Sequence, residues 1–225
     1  EDGKILALGA EENKIVFTSF TDEEFGLDGS VNNEAVWNGG YGAWTGIDIQ
    51  SPGSVLENVL IRGGGKYYNT PGYTRSALAQ EGYSVTLKNS TIEWSRKYGL
   101  LLKNTSATST IENNIFTNNN NPNEPDASGL YINSGALELR ANTFTKNKTG
   151  AKLYGASGIA ENNIFENNGT DLLQNASTIS FKNNTGIEND PEPSPPTLLE
   201  TSTSTPPIIL EESTTTATST SPKIP

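Results

Sequence analysis

Large apolar residues return along this chain at fixed places in a recurring line. Aligned on "IENNIF" at 111–116, five other segments fall into step: "LENVLI" at 56–61, "LKNSTI" at 87–92, "LRANTF" at 139–144, "AENNIF" at 160–165 and "FKNNTG" at 181–186. Their starts are separated by 31, 24, 28, 21 and 21 residues. In the clearest of them a large apolar residue opens and closes a polar middle, as Ile111 and Phe116 do. A second pattern runs ahead: "GIDI" at 46–49, "GLLL" at 99–102, "GLYI" at 129–132, "GAKL" at 150–153 and "GTDL" at 169–172, each 10 or 12 residues before its partner line. The spacing has no helical period, and short alternating segments bounded by Gly and Asn predict strands. A shortest unit with longer variants predicts a solenoid whose loops grow outward from a constant core.

Rungs of parallel strands stack about 4.7–4.9 Å apart, so equivalent positions form columns along the axis. Ile61, Ile92, Phe116, Phe144 and Phe165 then make an interior apolar stack that ends at Gly186. Beside it Asn114, Asn142, Asn163 and Asn184 make a column able to hydrogen-bond amide to amide, and Asn tolerates the left-handed backbone of a sharp corner. Buried amides need such partners, so the repeated "ENNIF" reads as a building block and not as a reaction centre.

The motif "x-N-N-x-F-x-x-N" followed by "G-[IL]-x-[IL]" carries a resemblance: over roughly residues 3–187 the chain resembles the right-handed parallel β-helix repeat proteins of the pectin-lyase-like group. "KILALG" at 4–9, "KIVFTS" at 14–19 and "WTGIDI" at 44–49 are similar to the early rungs of bacterial secreted members. The fold class expected is all-β: a single-stranded right-handed parallel β-helix over residues 1–187, then a disordered Ser/Thr/Pro-rich tail over 188–225 that acts as linker or stalk. The resemblance implies a secreted or cell-surface location.

Composition narrows the chemistry. Only 33% of residues are apolar, and 15 basic against 26 acidic residues give a net charge of −11, which argues against nucleic acid and anionic membrane surfaces as partners. Cys, His and Met are absent, so disulfides, Ser-His-Asp triads, thiol nucleophiles and ordinary zinc sites are excluded. No apolar run reaches the roughly 18–20 residues of a membrane span, and "IIL" at 208–210 is too short for an anchor. The opening "EDGKILALG" reads as the middle of a repeat, so the chain is expected to be part of a longer multidomain protein.

Two early inserts hold the candidate binding residues. Asp22, Glu24 and Asp28 lie in an oxygen-rich loop that could ligate calcium; no cofactor is otherwise expected, and a solvated acidic loop is the plainer reading. Tyr67, Tyr68, Tyr73 and Arg75 lie in the insert at 63–83, where rings could stack on sugar faces and Arg75 bind hydroxyls or carboxylates. Many relatives in the group cleave acidic polysaccharides, so the resemblance implies a search for catalytic groups. Asp48, Glu93, Glu138 and Asp171 are the outward carboxylates, with Arg62, Arg96 and Lys97 as bases or clamps, and none sits in a catalytic motif of the group. The favoured function is a non-catalytic scaffold, adhesin or glycan-binding module whose partner is a polysaccharide or another surface protein. The alternative is a polysaccharide lyase or glycoside hydrolase with its cleft beside 63–83; a passive spacer is a third reading.

Overall fold

The computed structural model describes residues 4–19, 22, 24, 25, 41–66 and 75–190. The chain climbs through them in rungs of three parallel strands. The first rung is β1 (Leu6–Leu8), β2 (Ile15–Phe17) and β3 (Ile47–Ile49); the second is β4 (Ser54–Glu57), β5 (Val59–Arg62) and β6 (Ser76–Glu81). The third is β7 (Val85–Lys88), β8 (Thr91–Glu93) and β9 (Tyr98–Lys103), and the fourth opens with β10 (Ser109–Glu112) and β11 (Ile115–Thr117). Next, β12 (Ser128–Arg140) closes the fourth rung and, past a bend, opens the fifth, followed by β13 (Thr143–Thr145). The same double duty falls to β14 (Thr149–Glu161), then β15 (Ile164–Glu166), β16 (Thr170–Asn175) and β17 (Thr178–Lys182). All named strand pairs are parallel, and the described residues contain no helix.

The bends in β12 and β14 join two faces of the solenoid into one continuous sheet, while β2, β5, β8, β11, β13 and β15 form a separate second face. In β12 the bend falls at Ser134 and Gly135, with φ of 68° and 148°. A Cβ at Gly135 would meet the Thr105 hydroxyl at 1.9 Å, so only glycine lets the chain cross that close to the rung below.

Burial follows the columns. The first face contributes Ala7, Leu56, Leu87, Ile111, Leu139, Ala160 and Phe181, aligned by register and all buried. On the second face the expected stack of Ile61, Ile92, Phe116, Phe144 and Phe165 stands in register and is headed by Phe17. Phe116, Phe144 and Phe165 stack with their planes nearly parallel, centroids 4.9 and 4.7 Å apart. One register differs from expectation: Thr170 pairs with Thr149, so Asp171, not Gly169, stands opposite Gly150. The "GTDL" line is therefore displaced by two residues from the others.

The doubled Asn now has a physical reason. Asn58, Asn89, Asn113, Ala141, Asn162 and Asn183 occupy the first corner with φ between 50° and 57°, the left-handed region that Asn tolerates best after Gly. From Asn113 onward the next residue turns inward and joins the ladder. The Asn142 Oδ1 accepts from both the backbone N–H and the Nδ2 of Asn114, each at 3.0 Å, and Asn163 and Asn184 repeat the pattern. Each Nδ2 also donates to a strand carbonyl, as Asn142 does to Ile111 at 2.8 Å. Asn189 closes this ladder, accepting from the Asn184 N–H at 2.7 Å, and Asp190 bonds the Phe181 backbone. These bonds tie the described chain to the solenoid as far as Asp190. Residues 191–225, and with them nearly all of the expected tail, lie outside the described residues.

A second ladder, not anticipated, holds the next corner: Asn119, Asn147 and Asn168 are buried or half-buried and linked at 3.0–3.1 Å. It was visible as the final Asn of "x-N-N-x-F-x-x-N".

Candidate functional site

The third face, made by β3, β6, β9, the first part of β12, the first part of β14 and β16, turns a varied surface outward. One register column reads Asp48, Ala79, Leu101, Tyr131, Lys152 and Leu173. The neighbouring column reads Glu81, Lys103, Asn133, Tyr154 and Asn175. Three half-buried tyrosines from successive rungs meet here. Tyr98 and Tyr131 lie 4.8 Å apart, centroid to centroid and tilted by 45°, and Tyr154 meets Tyr131 edge-on at 5.6 Å. Such tilted and edge-to-face pairs are the arrangements aromatic rings favour.

The wall of this strip is the loop between β11 and β12, fixed by cations from the second, third and fifth rungs. Both oxygens of Glu124 accept from Arg75 at 3.2 Å, and one also accepts from the Arg96 Nε at 3.0 Å. Lys97 lies 3.6 Å from the Asp126 carboxylate, and Lys152 donates to the Asp126 backbone carbonyl at 2.8 Å. The Lys97 ammonium also sits 4.9 Å from the centre of the Tyr98 ring, a cation–π distance. Burial pulls the Lys97 pKa down, but the Tyr98 hydroxyl, with Asp126 and Glu124, outweighs it and holds the group above its ordinary value. Burial lowers the Lys152 pKa; Asp126 offsets this only in part, and Lys97 and Lys148 add to the lowering. The Tyr131 hydroxyl is pushed up by burial and then by its tyrosine neighbours.

Next to the strip, toward the first rung, the same face holds a groove of about 400 Å³. Ala79 and Leu101 form an apolar floor there, with Tyr83, Asp48, Glu81 and Lys103 around it. Strip and groove together offer rings, cations and hydroxyl-binding groups on one face, the rings running diagonally across its columns.

The structure distributes the residues singled out from sequence widely. Arg75 reaches this wall through Glu124, while Tyr67, Tyr68, Tyr73 and Asp28 lie outside the described residues. Asp22 and Glu24 converge on the Arg62 guanidinium, Asp22 at 3.7 Å, with Glu93 on its Nε at 3.0 Å. Asp22 also accepts from the Thr18 hydroxyl at 2.6 Å and the Glu24 N–H at 3.1 Å, so its oxygens are engaged in a clip between this segment and the second face. Burial raises the Glu93 pKa, with Arg62 opposing. Among the described residues no three Asp or Glu side chains are placed to hold a metal ion.

Asp48 accepts from Gln50, Glu138 lies 3.7 Å from Arg140 on the first face, and Asp171 accepts from Asn168 at the end of the second ladder. With Glu93 on the second face, these four carboxylates occupy three faces of the solenoid and do not form the close pair that hydrolysis uses. The tyrosine strip escaped sequence reading because its rings sit in three different lines: Tyr98 precedes "GLLL", Tyr131 stands within "GLYI" and Tyr154 follows "GAKL". Only the register and the bends bring them together.

A parallel solenoid with stacked Asn corners defines the class of protein. The family model described as "right handed beta helix region" matches residues 27–185, and the chain belongs to that family. No curated protein and no solved structure matches the chain. No helix among the described residues is long and apolar enough to cross a membrane.

Proposed function

We propose that this domain is a secreted or cell-surface recognition module that binds a polysaccharide along the third face without cleaving it. The observation that carries this reading is the strip of Tyr98, Tyr131 and Tyr154, three rings on successive rungs with Lys97 and Lys152 beside them. The rings stand in three different register columns, so the strip runs diagonally across the rungs, with centroids 4.8 and 5.6 Å apart, and a glycan laid along that diagonal meets one ring after another. Around the strip Arg75, Arg96, Lys97 and Lys152 outnumber Glu124 and Asp126, within a chain of net charge −11. That local excess favours a glycan carrying carboxylates.

The test is a glycan-array screen run beside assays for new reducing ends and unsaturated uronates on acidic polysaccharides. Binding to at least one acidic glycan with no cleavage is expected. Cleavage overturns the non-catalytic reading, and an array with no bound glycan overturns recognition.

A further inference from the structure

The first corner carries a separate groove of about 480 Å³, away from the tyrosine strip. It exists because the turn at 9–14 overhangs the corner. Ala10 and Asn13 bridge each other at 3.0 and 3.2 Å, and the turn is tied down by the Gly9 N–H on the Glu57 carbonyl and the Asn58 Nδ2 on the Gly9 carbonyl, at 2.9 and 3.1 Å. A Cβ at Gly9 would meet the Asn58 carbonyl at 2.4 Å, so glycine is what lets the overhang lie this close.

One flank of the groove is a row of amides. Asn113 donates to Asn89 at 2.7 Å, and Asn89 donates to Glu57 at 3.1 Å. Each amide is thereby fixed in orientation while retaining a second N–H for another partner. The other flank is the outward column of the second face, Thr91, Ile115 and Thr143, in which Ile115 is 44% exposed. The overhang brings one acid, Glu11, and one base, Lys14, whose ammonium lies 3.4 Å from the Thr91 hydroxyl.

These groups are donors and acceptors with an apolar patch between them, and the acids Glu11 and Glu57 outweigh the one base, Lys14. An anionic ligand gains no net attraction here, whereas hydroxyls can pair with amides and threonines as the ligand's apolar ring edge covers Ile115. The volume lies within the range of about 300–1,000 Å³ typical of small-ligand sites. We propose that this groove is a second binding site, specific for an uncharged oligosaccharide and independent of the tyrosine strip.

The test is a calorimetric titration of the full chain with neutral tetrasaccharides, β-1,4-glucose, α-1,4-glucose and β-1,4-N-acetylglucosamine, and with tetragalacturonate as the charged comparison. Ile115→Arg fills the groove from an exposed position, and Tyr131→Ala removes the centre of the strip. At least one neutral tetrasaccharide is expected to bind wild type and Tyr131→Ala within about twofold of each other, and Ile115→Arg at least about tenfold more weakly. Three results overturn the proposal: no neutral sugar binds wild type, Ile115→Arg binds unchanged, or Tyr131→Ala abolishes neutral binding. Loss of tetragalacturonate binding in Tyr131→Ala alone bears on the strip and leaves the groove intact.

Discussion

The early and late rungs hold the same corners with different residues. From the fourth rung onward the first corner is closed by Asn114, Asn142, Asn163 and Asn184, which accept from one residue and donate to another through the same amide. In the early rungs the equivalent positions are Ser90 and, at the second corner, Ser95. Each accepts one N–H, that of Val59 or Ala77 at 3.1 Å, and returns its own proton to a nearby carbonyl. The core follows suit, with stacked Phe rings late and Ile61 and Ile92 early. An amide bonds the rungs on both sides where the hydroxyl bonds only the rung below, so the late half is the stricter repeat. The early half, freed from that strictness, carries the long connections from β2 to β3 and from β5 to β6.

The largest expected effect breaks this comparison in the core. Phe144→Ala should cost about 3–5 kcal/mol, because it empties the middle of the ring stack, whereas Ile92→Val in the same column should cost only about 0.5–1.5 kcal/mol. Urea midpoints measure both, and equal losses would contradict the division. The ladders come next. Asn142→Ala orphans the buried Asn114 N–H and the Ile111 carbonyl, at about 1–3 kcal/mol for each group, while Ser90→Ala orphans the Val59 N–H and leaves the Lys88 carbonyl its other donor, the Asn58 N–H. The Asn substitution should therefore destabilise roughly twice as much in the same denaturation series.

A gain of about 1 kcal/mol is expected for Ala141→Asn, since Ala141 is the one alanine at a left-handed corner otherwise built of Asn, with φ of 52°. An unchanged or lowered melting temperature would count against the corner account. The smallest effect is one of pH. The folded protein lowers the Lys152 pKa, so its ammonium is held at a cost relative to the unfolded chain at neutral pH. That cost is relieved as pH rises from the lowered value toward about 10.5, the ordinary lysine value. Wild type should gain stability over that window relative to Lys152→Met, in which the step is missing; urea midpoints from pH 7 upward follow the difference.

How much was legible in the sequence tracks the same division. In the late half, lines of 21 residues put Phe144 over Phe165 and Asn142 over Asn163 without ambiguity. The first rung was seen only as fragments, because the turn at 9–14 lengthens the corner between Ala7 and Phe17 that other rungs make with five-residue spacing, as Leu56 to Ile61 does. The second ladder was written in the motif but lacked an apolar neighbour to mark it as inward. The meeting of Asp22 and Glu24 with Arg62, 38 residues beyond Glu24, depends on the fold and is invisible along the sequence. The tyrosine strip depends on diagonal neighbours across rungs, which a linear alignment of lines cannot display.

The most direct measurement is a carbon-13 spectrum of tyrosine-labelled protein titrated with an acidic oligosaccharide that the array has shown to bind. The chain has 8 tyrosines, so every ring can be assigned. Recognition on the third face predicts shifts centred on Tyr98, Tyr131 and Tyr154. Shifts at Tyr67, Tyr68 and Tyr73, with the strip unmoved, would place the glycan on the early insert and contradict the account.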